Sequence, residues 1–307
     1  MKEDRRKAYD IPILFIIFNR LDTTRLVFEE IKKQRPKYLY IAADGPRENV
    51  ESDIENCQKT REIIKEIDWD CQLKTLFRNE NLGCGKAVSS AIDWFFEDVE
   101  MGLIIEDDCL PHSDFFGYCK ELLIRYKDEN QIKIITGDNF QKGNNKGDIS
   151  YYFSPYTHIW GWASWRRVWQ EYDFELDSIE IKDFKNSLKH YKFSWSEKEF
   201  WLDKFVSMKR KQIDTWDYQL CFSIWRERGL NIIPNSNLIS NIGFGGGATH
   251  TKDVDNPMAD IPSEAILPLI HPEKIERNRI ADQYTYCNYY KKSVLSIILR
   301  KLRRTFT

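Results

Sequence analysis

Between residues 11 and 108 short apolar runs alternate with longer amphipathic stretches, and this alternation constrains the fold more than any other feature. Residues 11–18 (IPILFIIF) are a continuous apolar run, the pattern of a strand buried on both faces. Asp22 or Thr23 is then placed to cap a helix carrying Leu26, Val27 and Ile31 inward, which Arg35 and Pro36 end. Residues 38–43 predict a second strand, stopped by the turn of Asp44, Gly45 and Pro46. A charged helix with Ile63, Ile64 and Ile67 on its inner face follows, then a third strand over 72–77. The next helix turns Ala87, Val88, Ala91, Ile92 and Phe95 to one side, and a fourth apolar run spans 103–105. The order β-α-β-α-β-α-β means a parallel sheet with crossover helices, a Rossmann-like nucleotide-binding half. A dinucleotide fold and a P-loop are disfavoured, because neither G-x-G-x-x-G nor G-x-x-x-x-G-K-[ST] is present.

The fourth run ends in three carboxylates, Glu106, Asp107 and Asp108. Adjacent carboxylates repel, and each raises the pKa of the others unless a cation relieves them. Oxygen-only ligands select a hard divalent ion, Mn2+ or Mg2+. Open α/β sheets bind ligands at the carboxyl ends of their strands, so the triplet points to a metal-dependent site for a phosphorylated substrate. If the strand continues, Glu106 and Asp108 face one way and Asp107 the other. Taken in isolation, a solvated acidic loop fits such a triplet equally well.

The 307 residues allow one large α/β domain or two smaller ones. A net charge of -2 offers nothing for nucleic acid, and ten Trp suit sugar rings as well as cores. Seven cysteines, an odd number without a C-x-x-C pair, argue against a disulfide framework and a cysteine zinc site. With no signal peptide or membrane-spanning run in view, the expected location is the cytoplasm. The basic, amphipathic C-terminal stretch 291–304 suits peripheral contact with an anionic membrane, or docking on its own domain or a partner subunit.

Beyond Pro111 the pattern predicts a helix over 113–127 capped by Ser113 and a strand over 131–136. Trp162, Trp165 and Trp169 recur at i, i+3 and i+7, the spacing of one helical face. Residues 171–200 read as charged and irregular, 197–211 as a helix, and 213–219 as the opening of another that ends near Gly229. A short strand at 231–234 and a Gly-rich loop at 241–250 precede a loop-rich stretch and a terminal helix, 293–305.

Four stretches in this order resemble the GT-A class of nucleotide-sugar glycosyltransferases, most closely the N-acetylglucosaminyltransferase I group. They are residues 14–20 (LFIIFNR) with 42–45 (AADG); 104–108 (IIEDD) with Phe115 and Phe116; Gly161 and Trp162 with Trp169; and Trp216 and Asp217 followed by a Gly-rich loop containing His250. The resemblance covers roughly residues 11–251 and implies a GT-A (Rossmann-like) central mixed sheet flanked by helices. The expected organisation is a tail over 1–10, a glycosyltransferase domain over 11–251, and a helical, loop-rich extension over 252–307. Within that domain, 11–108 would be the nucleotide-binding half and 109–251 the acceptor-side half.

The resemblance also implies roles. Asp44 would accept the uracil N–H and Arg20 contact the nucleotide; Asp108 would hold the metal, Asp107 the ribose and Glu106 the donor sugar. Asp217 would be the general base of an inverting transfer, with Trp216 desolvating it. Locally, Asp214 as N-cap would make Asp217 the N3 residue, where an acid favours the helix dipole, and Asp214 is a second base candidate. The loop 241–250 would close over the donor, and His250 would meet the diphosphate or the metal. Asn79, Asn81 and Lys86 lie on a loop expected beside the donor. Trp160, Trp162 and Trp216 are candidates for lining the acceptor cleft, while the tryptophan stripe itself suits the core. The implied partners are a UDP-sugar, with UDP-GlcNAc favoured, and a glycan or lipid-linked acceptor in surface polysaccharide synthesis. Two alternatives stand beside this reading. A sugar-phosphate nucleotidylyltransferase would carry a Gly-rich, Arg-containing loop after the first strand, where this chain has 18–22 (FNRLD). A non-catalytic nucleotide-sugar-binding protein would not need both the triplet and Asp217.

Overall fold

The computed structural model describes residues 8–144, 147–244, 258 and 261–291. The first half runs β1 (Ile13–Ile17), α1 (Leu21–Gln34), β2 (Tyr38–Ala43), α2 (Glu51–Arg61) with a 3-10 turn (Glu62–Glu66), β3 (Gln72–Phe77), α3 (Cys84–Asp98) and β4 (Met101–Glu106). There follow β5 (Cys109–Pro111), α4 (Ser113–Arg125), β6 (Ile132–Thr136), β7 (Tyr151–Ser154), β8 (Trp162–Trp165), α5 (Arg166–Trp169), α6 (Ile181–His190) and α7 (Trp195–Lys209). The chain continues through α8 (Asp217–Arg226), β9 (Leu230–Pro234), β10 (Ile239–Asn241), α9 (Arg279–Thr285) and a π-helical turn (Tyr286–Tyr290).

Eight strands form one central mixed sheet in the order β3-β2-β1-β4-β8-β6-β9-β7, flanked by helices. The β3-β2-β1-β4 half is parallel throughout. Strand β8 inserts antiparallel between β4 and β6, so the two halves share one continuous sheet. Ile13, Leu14 and Phe15 of β1 are successive and fully buried, which requires both faces of the sheet to be covered. Helix α3 covers part of one face, and Gly102 makes room for its Phe95. A Cβ at Gly102 would lie 2.3 Å from the Phe95 ring. The outer edge of β7 is covered by the later chain: Ser150 N donates to Ile270 O and Asn278 N to Phe153 O, both at 2.8 Å. A separate ribbon pairs β5 with β10, with Cys109 opposite Asn241.

Several local readings change. The tryptophans do not share a helical face: Trp162 and Trp165 lie in β8, and only the last turn around Trp169 is helical. Open strand edges on β4 and β6 outweigh the spacing. Residues 171–200 contain α6, whose Phe184 stacks on Phe205 at 4.4 Å. Helix α1 starts at Leu21 without a side-chain cap from Asp22 or Thr23; the Thr24 hydroxyl instead donates back to Arg20 O at 2.7 Å. His112 rather than Ser113 caps α4, its Nδ1 accepting from Asp114 N at 3.1 Å. Helix α7 begins earlier than expected, at a capping box between Ser194 and Glu197. Helix α8 begins at Asp217 with Trp216 at the N-cap, so Asp214 does not cap it. His250 and the stretch 293–305 lie outside the described residues. Among the described residues no helix is long and apolar enough to cross a membrane, and all seven cysteines are free.

Candidate active site

A cleft of about 510 Å³ opens at the carboxyl ends of the parallel strands. Phe18 and Arg20 follow β1, Asp44 follows β2, Arg78 follows β3, and Glu106, Asp107 and Asp108 form the end of β4. Trp160, Thr215, Trp216 and Asp217 line the same cleft.

Strand β4 stops at Glu106 and the chain turns, so the expected alternation through the triplet does not occur. Asp107 and Asp108 both meet Arg20, whose Nη2 lies 2.5 Å from Asp107 Oδ1 and 2.9 Å from Asp108 Oδ2. Phe18 N donates to the other Asp107 oxygen at 3.2 Å. Burial works against the Arg20 charge, but the two carboxylates outweigh it and hold the guanidinium above its ordinary pKa. Burial, only partly offset by Arg20, raises Asp107 above the usual carboxylate range. Glu106 forms no ion pair among the described residues. Burial first, then the charges of Asp108 and Asp107, push it up to about 8, and Asp217 adds to the rise.

Asp108 sits beneath the start of the Gly-rich loop. Ile242 N donates to Asp108 O at 2.9 Å, and a Cβ at Gly243 would lie 2.1 Å from Asp108 Oδ2. The β5–β10 ribbon holds this approach in place. Asp107 and Asp108 share the Arg20 guanidinium, and the triplet offers only oxygen donors, which suits a hard divalent cation. Among the described residues no three His, Cys, Asp or Glu side chains converge into a preformed cage. A cation here would be held by Asp108, with substrate phosphate oxygens completing its shell.

After β2, Asp44 accepts from Leu82 N with both oxygens, at 3.1 and 3.0 Å, and burial raises its pKa. Asn81 latches the same two loops, its Nδ2 donating to Gly45 O at 2.8 Å. Gly45 allows this contact, since a Cβ there would lie 2.3 Å from the Glu80 carbonyl carbon. Lys86 is exposed outside the cleft, and Asn79 lines a separate shallow groove beside Arg61 and Phe77. Two cleft arginines were not anticipated. Arg47 pairs with Asp53 at 2.5 Å and lies over the Phe18 ring; Arg78 donates to Ser90 Oγ at 2.8 Å and has its pKa lowered by burial. Their position just beyond strand ends is the signal that would have found them.

Also lining the cleft, Asp217 is the first residue of α8. Its Oδ1 accepts from Thr215 Oγ1 at 2.5 Å and from Tyr218 N at 2.8 Å. Trp216 lines the cleft but is only 2% exposed, stacked on Trp162 at 5.8 Å. Trp162, 1% exposed, is a buried pillar and does not line the cleft, whereas Trp160 does. Asp214 reaches in the other direction: its carboxylate accepts from Cys84 N at 3.1 Å and Gly85 N at 3.0 Å, capping α3.

No protein-family model and no curated protein matches this chain. Among solved structures it is similar to residues 1–349 of S. aureus TarS, at 10% identity over 71% of this chain and 70% of that one, with a TM-score of 0.40. It is also similar to HddC from Yersinia pseudotuberculosis, at 13% identity over 55% of this chain and 84% of that one, TM-score 0.32. A cytidylyltransferase from Leptospira borgpetersenii matches at 15% identity over 56% of this chain and 65% of that one, TM-score 0.34. Likenesses this distant carry no weight for what the chain does.

Proposed function

We propose that this chain is an inverting, metal-dependent glycosyltransferase, moving a sugar from a UDP-sugar to a hydroxyl of a glycan or lipid-linked acceptor. One observation carries the reading. The triplet and Asp217, far apart in sequence, line a single cleft at the strand ends. UDP-GlcNAc is the favoured donor and surface polysaccharide the favoured product, with the enzyme at the cytoplasmic side of the membrane.

In this reading Asp44 takes the base N–H with a remaining lone pair, and Arg20 and Asp107 hold the nucleotide end of the donor. Asp108 would hold Mn2+ or Mg2+, which supplies Lewis-acid stabilisation of the leaving diphosphate when bound. Glu106 meets the donor sugar. Asp217 takes the proton of the acceptor hydroxyl as that oxygen attacks the anomeric carbon from the face opposite UDP. The bond from the anomeric carbon to the diphosphate oxygen breaks, and UDP leaves with the electron pair. The Thr215 hydroxyl holds one Asp217 oxygen, which fixes the direction of the other.

Calorimetry with UDP and Mn2+, together with a hydrolysis screen over nucleotide-sugars, tests the reading. Wild type is expected to bind UDP in a metal-dependent manner and Asp108→Ala to lose that dependence. Asp217→Asn is expected to keep UDP affinity while turnover falls about a hundredfold or more. Near-normal turnover in Asp217→Asn would place the base elsewhere. Consumption of UTP and a sugar 1-phosphate, without hydrolysis of any UDP-sugar, would favour a nucleotidylyltransferase instead.

A further inference from the structure

Helix α3 has no cap of its own. Gly83 occupies its N-cap position with φ 78°, and its first turn holds no acidic residue. The free N–H groups of that turn are bonded instead by Asp214, from 130 residues away in sequence. Both carboxylate oxygens are used, one on Cys84 N and one on Gly85 N. The two glycines of the turn make this possible. A Cβ at Gly83 would lie 2.8 Å from Asp214 Oδ2, and one at Gly85 would lie 2.7 Å from Asp214 Oδ1 and 2.8 Å from Thr215 O. Three residues on is Asp217, the first residue of α8, and the chain between them has little freedom. Thr215 donates to Asp217 Oδ1, Gln219 Nε2 donates to Thr215 O at 2.8 Å, and Tyr172 donates to Trp216 O at 3.1 Å.

We propose that Asp214 is a positioning residue for the transfer reaction, a stitch between the start of α3 and the loop before α8 that sets where Asp217 stands relative to the donor. The inference rests on the reading of Asp217 as the base. Gly83 and Cys84 at the start of α3 line the same cleft as Asp214, Thr215, Trp216 and Asp217. The bidentate bond ties the segment that leads into Asp217 to the first turn of α3, and bonds between a carboxylate and backbone N–H groups are among the stronger hydrogen bonds. A plain helix cap would influence stability alone. A stitch influences the chemical step, because a displacement of about 1 Å at a reacting group costs about a hundredfold in rate.

The test compares Asp214→Ala, Gly85→Ala, Asp217→Asn and the double variant Asp214→Ala/Asp217→Asn in the full chain, with UDP-GlcNAc and Mn2+ as the probe. Asp214→Ala is expected to lower kcat about tenfold to a hundredfold while KM for the donor and the UDP Kd change less than about twofold. Gly85→Ala is expected to do the same, since its Cβ displaces the same carboxylate. The double variant is expected to be no slower than Asp217→Asn alone, because Asp214 acts through Asp217. A double variant slowed by the product of the two single effects would overturn the proposal, as would wild-type kcat in Asp214→Ala beside an inactive Asp217→Asn. Normal turnover in Asp217→Asn would instead remove the base assignment. Hydrogen exchange adds a readout that needs no turnover. In Asp214→Ala the Tyr218 amide, which bonds to Asp217 Oδ1, is expected to exchange faster along with those of Cys84 and Gly85. Unchanged Tyr218 protection would show that Asp214 does not hold the loop.

Discussion

Asp138 and His158 are the residues whose burial is hardest to reconcile with their chemistry. Asp138 is 1% exposed and accepts from Thr136 Oγ1, but its other oxygen is only within 3.5 Å of His158 Nδ1. Among the described residues neither His158 nitrogen has a hydrogen-bond partner, and the ring lies 4.7 Å from that of Phe140. Burial pushes Asp138 up to about 7 and His158 down to about 4. The two act with opposite sign. A raised carboxyl contributes stability below its unfolded pKa and loses it as pH rises through about 7. A lowered imidazole contributes stability above its unfolded pKa and loses it as pH falls through about 4. At pH 8 the cost of an ionised Asp138 therefore stands alone. Asp138→Asn keeps an oxygen for Thr136 and presents an N–H to His158, so it is expected to melt about 2–4 °C above wild type at pH 8. The gain should shrink to less than half at pH 5, because the cost of ionisation builds up between the unfolded pKa and about 7, and thermal melts at both values check this. Equal shifts at the two values would mean the carboxyl is not held protonated by folding.

At the scale of elements, the joint between β6, β8 and β10 carries the triplet's surroundings. Gly161, with φ 58°, precedes β8, and its carbonyl accepts from Gly137 N at 2.8 Å. A Cβ at Gly161 would lie 2.6 Å from Ile239 Cδ1, in the strand that pairs with β5 just beyond Asp108. Gly161→Ala thus meets both a left-handed backbone and an occupied space, and is expected to cost about 1–3 kcal/mol in a urea titration. A wild-type midpoint would mean that Ile239 moves aside freely. The motif Gly161-Trp162 stood out in the sequence, but as the start of a helix rather than a strand. Periodicity cannot separate these two when the stretch is four residues long and both flanking strand edges need a partner. Asp214 was misassigned for a related reason. Capping chemistry predicts that an acid sits near a helix start, but not which helix it serves.

For the molecule as a whole, the shared sheet decides what can fold alone. The parallel half, residues 11–108, ends on β4, whose Leu103, Ile104 and Ile105 are fully buried and whose outer edge pairs with β8. Cutting the chain after residue 108 would leave that edge open and its apolar side chains in water. A fragment of residues 11–108 is expected to show no cooperative thermal transition and to associate in solution, as circular dichroism and sedimentation would report. A sharp two-state melt from a monomeric fragment would make the halves independent units. The same continuity explains why the cleft walls, drawn from both halves, keep a common reference frame.

The parallel half of the sheet was legible from local pattern, because strands buried on both faces, such as β2 at 38–43, and amphipathic helices leave clear apolar patterns; the exposed edge strand β3 also lies at 72–77, as expected. The strand-end rule located the triplet, Arg20 and Asp44 in the same way. Contacts between distant parts of the chain were not legible. That Arg20 would bridge Asp107 and Asp108, that β8 would run against β4, and that Asp214 would cap α3 each depend on which surfaces meet after collapse. Local pattern records how each segment hides its apolar side. Which polar group answers which is settled only when the whole sheet has formed and every buried donor and acceptor must find a partner at once.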